Sequence, residues 1–199
     1  MNTLIENLLN INLYEAEFDS LFQPHDKKEF ILKRLKNLIK NSDGSYSCAG
    51  DVDLSNMGLG KLFIRFKEVG GNFDCSDTEL TSLEGAPQTV GGGFLCNSNK
   101  LTSLKHAPKV VGGDFFCDYN DLTSLEGAPK KVGGYFDCSY NKLISLKGAP
   151  KVVGETFACD NNELITLEGA PMKVGGAFYC SDNKLSEEEL KKTVDRDYL

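Results

Sequence analysis

The chain lacks most of what would announce a membrane, a nucleic-acid partner or a chemistry. No apolar run approaches the ~18 residues that a bilayer crossing needs. The opening "MNTLIENLLNINLYEAEF" has neither the basic flank nor the small-residue cleavage site of a secretory leader. A cytoplasmic protein without membrane association is expected. Basic charge is short as well: 22 Lys and Arg against 29 Asp and Glu leave a net charge of -7 and a pI near 4.9. Neutralising phosphates takes clustered cations, so direct nucleic-acid binding through a basic field is not expected. Histidine is scarce: His25 and His106 lie far apart and outside any motif, which argues against an acid-base triad. The Gly-Gly pairs are not followed by G-K-[ST], and neither G-x-S-x-G nor H-E-x-x-H occurs. The prediction is no catalytic residue, no cofactor, no metal, and no enzymatic activity. The turns "CDNNEL" and "CSDNK" carry oxygen ligands, but not at the spacing of a known calcium loop.

What is present is repetition. Six prolines, 40% hydrophobic and 26% charged residues fit one globular unit. Val69, Val90, Val111, Val132, Val153 and Val174 fall 21 residues apart, and each opens a copy of V-G-G-x-F-x-C-x-x-N-x-L-x-x-L-x-G-A-P-x-x. A unit this small cannot bury its own apolar side, so a fixed period of this kind predicts a stacked solenoid.

Within a copy, F-x-C alternates apolar and variable residues and predicts a strand with Phe and Cys inward. Asn99, Asn120, Asn141, Asn162 and Asn183 are placed to turn the chain and to satisfy buried backbone groups. L-x-x-L supplies the rest of the core, G-A-P an extended return, and Gly-Gly a tight bend into the next strand. Six of the seven cysteines, Cys75, Cys96, Cys117, Cys138, Cys159 and Cys180, share one repeat position and are expected as buried small hydrophobes. Side chains parallel in a column suit neither a disulfide nor a tetrahedral zinc site. Cys48, outside the column, is the only candidate reactive thiol.

The string "FDCSYNKL" resembles the L-x-L-x-x-N-x-L core of leucine-rich repeats, with Phe and Cys replacing two leucines. Residues 43 to 185, from "DGSYSCAGDVDLSNMGLGKLFIRFKEVGGNFDCS" through the L-T-S-L-E-G-A-P units, resemble short leucine-rich repeat proteins encoded by bacteriophages and some bacteria. That resemblance implies an α/β-type repeat solenoid with short parallel strands and extended returns. It also implies a non-enzymatic protein-binding role. For a phage-encoded relative, the partner would be a host protein, such as an antiviral defence component that this chain blocks.

The expected organisation is an N-terminal helical cap over 1–44, a degenerate first repeat over 45–68, the solenoid over 69–185 and a C-terminal capping helix over 186–199. Thr3 with Glu6, Asp26 with Glu29, and Ser186 with Glu189 have capping-box spacing. "DKKEFILKRLKNLIKN" predicts a helix with Ile31, Leu35, Leu38 and Ile39 on one face. Lys27, Lys28, Lys33, Arg34, Lys36 and Lys40 make it the basic part of the protein, read as a solvated face, with partner binding as the alternative.

Variation between copies shows where function could lie. Glu79, Lys100, Asp121, Lys142, Glu163 and Lys184 alternate in sign from copy to copy, as do Glu84, Lys105, Glu126, Lys147 and Glu168. These rows predict register-fixing charge ladders. The outward strand positions do not repeat. Leu95, Phe116, Tyr119, Tyr135 and Tyr140 collect in the middle copies, rimmed by Asp114, Asp118, Asp137 and Asp160, with Tyr179 at the end. Folding does not ask for aromatics on a solvent-facing strand surface, whereas interface hot spots use them. These residues are the predicted partner-binding surface, on a sheet expected to be concave. The alternative reading is an acidic nucleic-acid mimic that occupies a nuclease or DNA-binding protein.

Overall fold

The computed structural model describes residues 24–35 and 37–194. They form a parallel β-solenoid of about six turns with few helices. Each turn contributes two short strands. One sheet runs β1 (Leu38–Lys40), β2 (Tyr46–Cys48), β4 (Phe66–Val69), β6 (Thr89–Val90), β8 (Val110–Val111), β10 (Lys131–Val132), β12 (Val152–Val153) and β14 (Lys173–Val174). The other runs β3 (Val52–Asp53), β5 (Phe73–Asp74), β7 (Phe94–Leu95), β9 (Phe115–Phe116), β11 (Phe136–Asp137), β13 (Phe157–Ala158) and β15 (Phe178–Tyr179). Pairing is parallel with equivalent residues side by side, as in Phe136 with Phe115 and Phe157. Only β1, against β2, is antiparallel. The sequence predicts one strand per repeat. The second, ending at the repeat valine, is too short for a period-2 signal.

Identical stacking makes the core a set of columns. The five phenylalanines Phe73 to Phe157 are fully buried. Their rings follow one another at centroid distances such as 5.2 Å for Phe115–Phe136 and 5.4 Å for Phe136–Phe157. The cysteine column is buried beside them, except for half-exposed Cys180. Its thiols are free, and those of Cys75, Cys117, Cys138 and Cys159 donate to carbonyls of the next turn, as from Cys117 Sγ to Asp137 O at 3.3 Å. Burial pushes these thiols well above the ordinary range. Cys48 is buried too, its Sγ 3.7 Å from the Asp51 carbonyl, which removes it as the candidate reactive thiol.

The asparagines form the expected ladder. Asn120 Nδ2 donates to Cys96 O at 3.0 Å, Cys117 O at 3.2 Å and Asp118 O at 3.2 Å, while its Oδ1 accepts from Leu101 N at 2.9 Å. One amide therefore ties two consecutive turns. In the first copy the Thr78 hydroxyl substitutes in part, donating to Cys75 O at 2.6 Å.

Gly-Gly does a different job from the bend read in the sequence. A Cβ on Gly133 would collide with the carbonyl oxygen of Gly112, and one on Gly154 with that of Gly133. The first glycine is required by backbone approach between turns. The second avoids atoms of the preceding turn that differ between copies, Asp114 Oδ1 for Gly134 and the Gly92 backbone for Gly113. In the fifth copy this position carries Glu155.

The flanks differ from expectation. Helix α1 spans Pro24–Arg34, so Asp26 sits inside its first turn rather than before it. Phe30 and Ile31 are buried in the core. The helix stops short of Leu38 and Ile39: Asn37 takes φ 65°, a conformation asparagine tolerates, and the next residues are captured as β1 by β2. Ile39 is consequently exposed. Lys27, read as part of a solvated face, is buried with its ammonium 5.6 Å from the Phe63 ring centroid. Thr3, Glu6 and Lys36 lie outside the described residues. Helix α2 spans Glu187–Val194. Its capping box is half formed: Glu189 N donates to Ser186 Oγ at 3.3 Å, but the Glu189 carboxylate accepts instead from Leu167 N at 2.9 Å. Among the described residues, no helix is long and apolar enough to cross a membrane.

Candidate functional site

Parallel pairing stacks Asp74, Leu95, Phe116, Asp137, Ala158 and Tyr179 on the outer face of the phenylalanine sheet. Leu95, Phe116 and Asp137 are half-buried and Tyr179 is exposed. In the adjacent column, Tyr135 meets Phe116 edge to face with centroids 6.0 Å apart. Asp114 has a structural task, since its Oδ1 accepts from Tyr135 N at 2.8 Å.

The residues two after each cysteine lie beyond the strand, in the left-handed region. Asp77, Ser98, Tyr119, Tyr140, Asn161 and Asp182 have φ of 53, 52, 50, 53, 53 and 52°. Asp and Asn tolerate this conformation through local hydrogen bonds; a bulky side chain finds it unfavourable. Two adjacent tyrosines here have no local folding rationale. They stack face to face, centroids 4.3 Å apart and planes 7° from parallel. The Tyr119 phenol is held above its ordinary pKa, chiefly by its hydrogen bond to Tyr140.

Beside this stack lies an open hollow of about 300 Å³. Tyr119, Tyr140, Tyr135 and Tyr179 line it together with Asp118, Asp137 and Asp160, while Ala158 is the short side chain within it. Leu95, Asp114 and Phe116 lie outside the hollow, on the same face. Burial, then the neighbouring Asp137 and Asp77 carboxylates, raise Asp118 to about 6. Burial and Asp137 likewise raise the Tyr135 phenol. Asp137 Oδ1 accepts from Ser139 N at 2.8 Å, and Asp160 Oδ1 from Ser181 N at 2.7 Å. Among the described residues, nothing donates to the second oxygen of either.

On the return side several carboxylates are paired with lysines. Lys100 bonds Glu79 at 3.0 Å, Lys184 bonds Glu163 at 2.9 Å, and Lys147 bonds Glu168 at 3.1 Å. In the first row each lysine reaches the acid one turn back, so the alternating charges meet as pairs. Among the described residues, no cation pairs with Asp118, Asp137 or Asp160.

Ala158, Ser139, Asn161 and Ser181 complete the hollow and are absent from the sequence-derived surface, because a search for large side chains passes over the small one that leaves room. A larger hollow, about 500 Å³, has Asp43, Arg65, Lys67, Glu84 and His106 among its lining residues. It is of mixed sign, and Arg65 is already paired with Asp43 at 3.1 Å, so it presents less unsatisfied chemistry. Ile144 and Ile165 are exposed neighbours outside both hollows.

No family model, no curated protein and no solved structure matches this chain.

Proposed function

We propose that this solenoid is a non-enzymatic protein-binding module that engages its partner through the outer face of the phenylalanine sheet. The observation that carries the reading is the pair Tyr119 and Tyr140, held at left-handed positions where the other copies use Asp, Ser or Asn. Bulky residues at a locally unfavourable conformation, exposed and clustered with two further tyrosines, fit an interface hot spot better than a folding requirement. By its resemblance to phage and bacterial leucine-rich repeat proteins, the module belongs with short leucine-rich repeats, with α1 and α2 as caps over the two ends. The partner is then a host protein, an antiviral defence component being the candidate class, met in the bacterial cytoplasm.

The test is capture from bacterial lysate on the immobilised protein beside a variant carrying Phe116→Ala, Tyr119→Ala, Tyr135→Ala and Tyr140→Ala that still unfolds cooperatively. A discrete protein retained by the parent and lost by the variant supports the reading. Equal capture by both rejects it. Nucleic-acid mimicry predicts instead a nucleic-acid-binding target whose retention collapses with salt.

A further inference from the structure

We propose that the hollow over Ala158 receives an arginine side chain of the partner, its guanidinium lying among Tyr135, Tyr140 and Tyr179 and bonded to the carboxylates of Asp118, Asp137 and Asp160. This rests on the protein-binding reading and adds the chemistry of the group that docks.

Shape is the first support. The column running through the hollow carries Leu95, Phe116, Asp137 and Tyr179 on neighbouring turns, but Ala158 at its centre, so the space arises from one small side chain. At about 300 Å³ it stands at the lower end of ligand-pocket sizes. It is open to one side, as suits a side chain entering from a partner's surface.

Charge is the second. Glu79, Asp121, Glu163 and Glu168 of the return-side rows meet lysines, whereas Asp118, Asp137 and Asp160 line one hollow with no cation among the described residues. Burial, with the Asp137 and Asp77 carboxylates, disfavours the charged form of Asp118, and a cation in the hollow would favour it. The second oxygens of Asp137 and Asp160 are available acceptors. The walls are the third. Tyrosine faces attract cations through their quadrupole, and desolvation in a hollow strengthens that attraction. A guanidinium satisfies both surroundings at once, since its planar fork bonds carboxylates in the plane and its faces stack on rings.

The experiment needs no partner. The protein with isotope-labelled alanine methyl and tyrosine ring positions is titrated by NMR with N-acetyl-arginine N-methylamide and, separately, with the uncharged citrulline analogue. Saturable shifts of the Ala158 methyl and the Tyr135 and Tyr140 rings are expected with arginine, and binding about tenfold weaker with citrulline. Ala158→Phe should abolish the shifts. The backbone accepts that substitution, because Phe116 occupies the equivalent position two turns away. Ile165→Ala, at an exposed position outside the hollow, should leave them in place. Absence of saturable shifts, equal binding of citrulline, or unchanged binding by Ala158→Phe overturns the proposal. If capture depends on the tyrosine face while the arginine probe fails to bind, this inference fails and the protein-binding reading stands. If the probe binds and capture is indifferent to the face, the hollow takes a guanidinium but its assignment to a protein partner fails with the protein-binding reading.

Discussion

Tyr119 and Tyr140 stack 4.3 Å apart and 7° from parallel, projecting from backbone positions at φ 50 and 53°. The stack and the conformation it requires pull in opposite directions. Ring stacking is favourable, while left-handed backbone at a bulky residue is not. Replacing both tyrosines by asparagine, which stands at the equivalent position 161, relieves the backbone and removes the stack. The thermal midpoint is predicted to stay within roughly 3 °C of the parent, while partner capture is lost. Parallel melts and pull-downs check both halves.

Asn120 should behave in the opposite way. Its amide bonds three carbonyls and one amide across two turns, and in Asn120→Ala those buried groups lose their partner. Leaving buried polar groups unsatisfied costs about 1–3 kcal/mol each where no water replaces the bond. Urea unfolding should therefore show a loss of at least about 2 kcal/mol, with the oligomeric state and the solenoid's circular dichroism unchanged before the transition.

Asp118 predicts a pH dependence with a definite sign. Its folded pKa, about 6, lies above the ordinary 3.8, so the folded state binds more proton than the unfolded state between these values. Its contribution to stability is then most favourable below pH 4, declines as pH rises toward 6, and is constant above that. Asp118→Asn should be more stable than the parent at pH 7, and the difference should vanish by about pH 4. The group is only half-buried, so the gain is modest. Difference curves of parent and variant, measured by denaturant at several pH values, isolate it from the other carboxylates.

Thiol chemistry should separate Cys180 from the rest. It is half-exposed at the last turn, whereas Cys48 and the other column cysteines are buried. A disulfide reagent applied to the native protein should modify a single thiol quickly, identified as Cys180 by peptide mapping, and the remainder only on unfolding. Rapid modification of Cys117 or Cys138 would contradict the described packing.

Much of this architecture is legible in the sequence because the repeat imposes it. A residue identical in each copy, such as the phenylalanine or the asparagine, occupies one column and has one environment, and its chemistry alone places it. The valine strand escaped notice because two residues carry no periodicity, and Gly-Gly was legible as special but not as a contact between backbones, which needs the neighbouring turn. The end of α1 was hidden for another reason: Leu38 and Ile39 continue a helical pattern, and pairing with β2 overrides it. At the candidate site, variation between copies pointed to Tyr119, Tyr135 and Tyr140. The hollow stayed hidden because it is the shortness of Ala158, between larger neighbours, that creates it.

The measurement that tests the account most directly is photo-crosslinking from the two faces of the solenoid. Benzoylphenylalanine placed at position 140, in the tyrosine stack, should give one discrete crosslinked protein in bacterial lysate, competed away by excess unlabelled parent. The same probe at position 165, an exposed site on another face, should give none. A competed crosslink from position 165 with nothing from position 140 would place binding elsewhere and contradict the account.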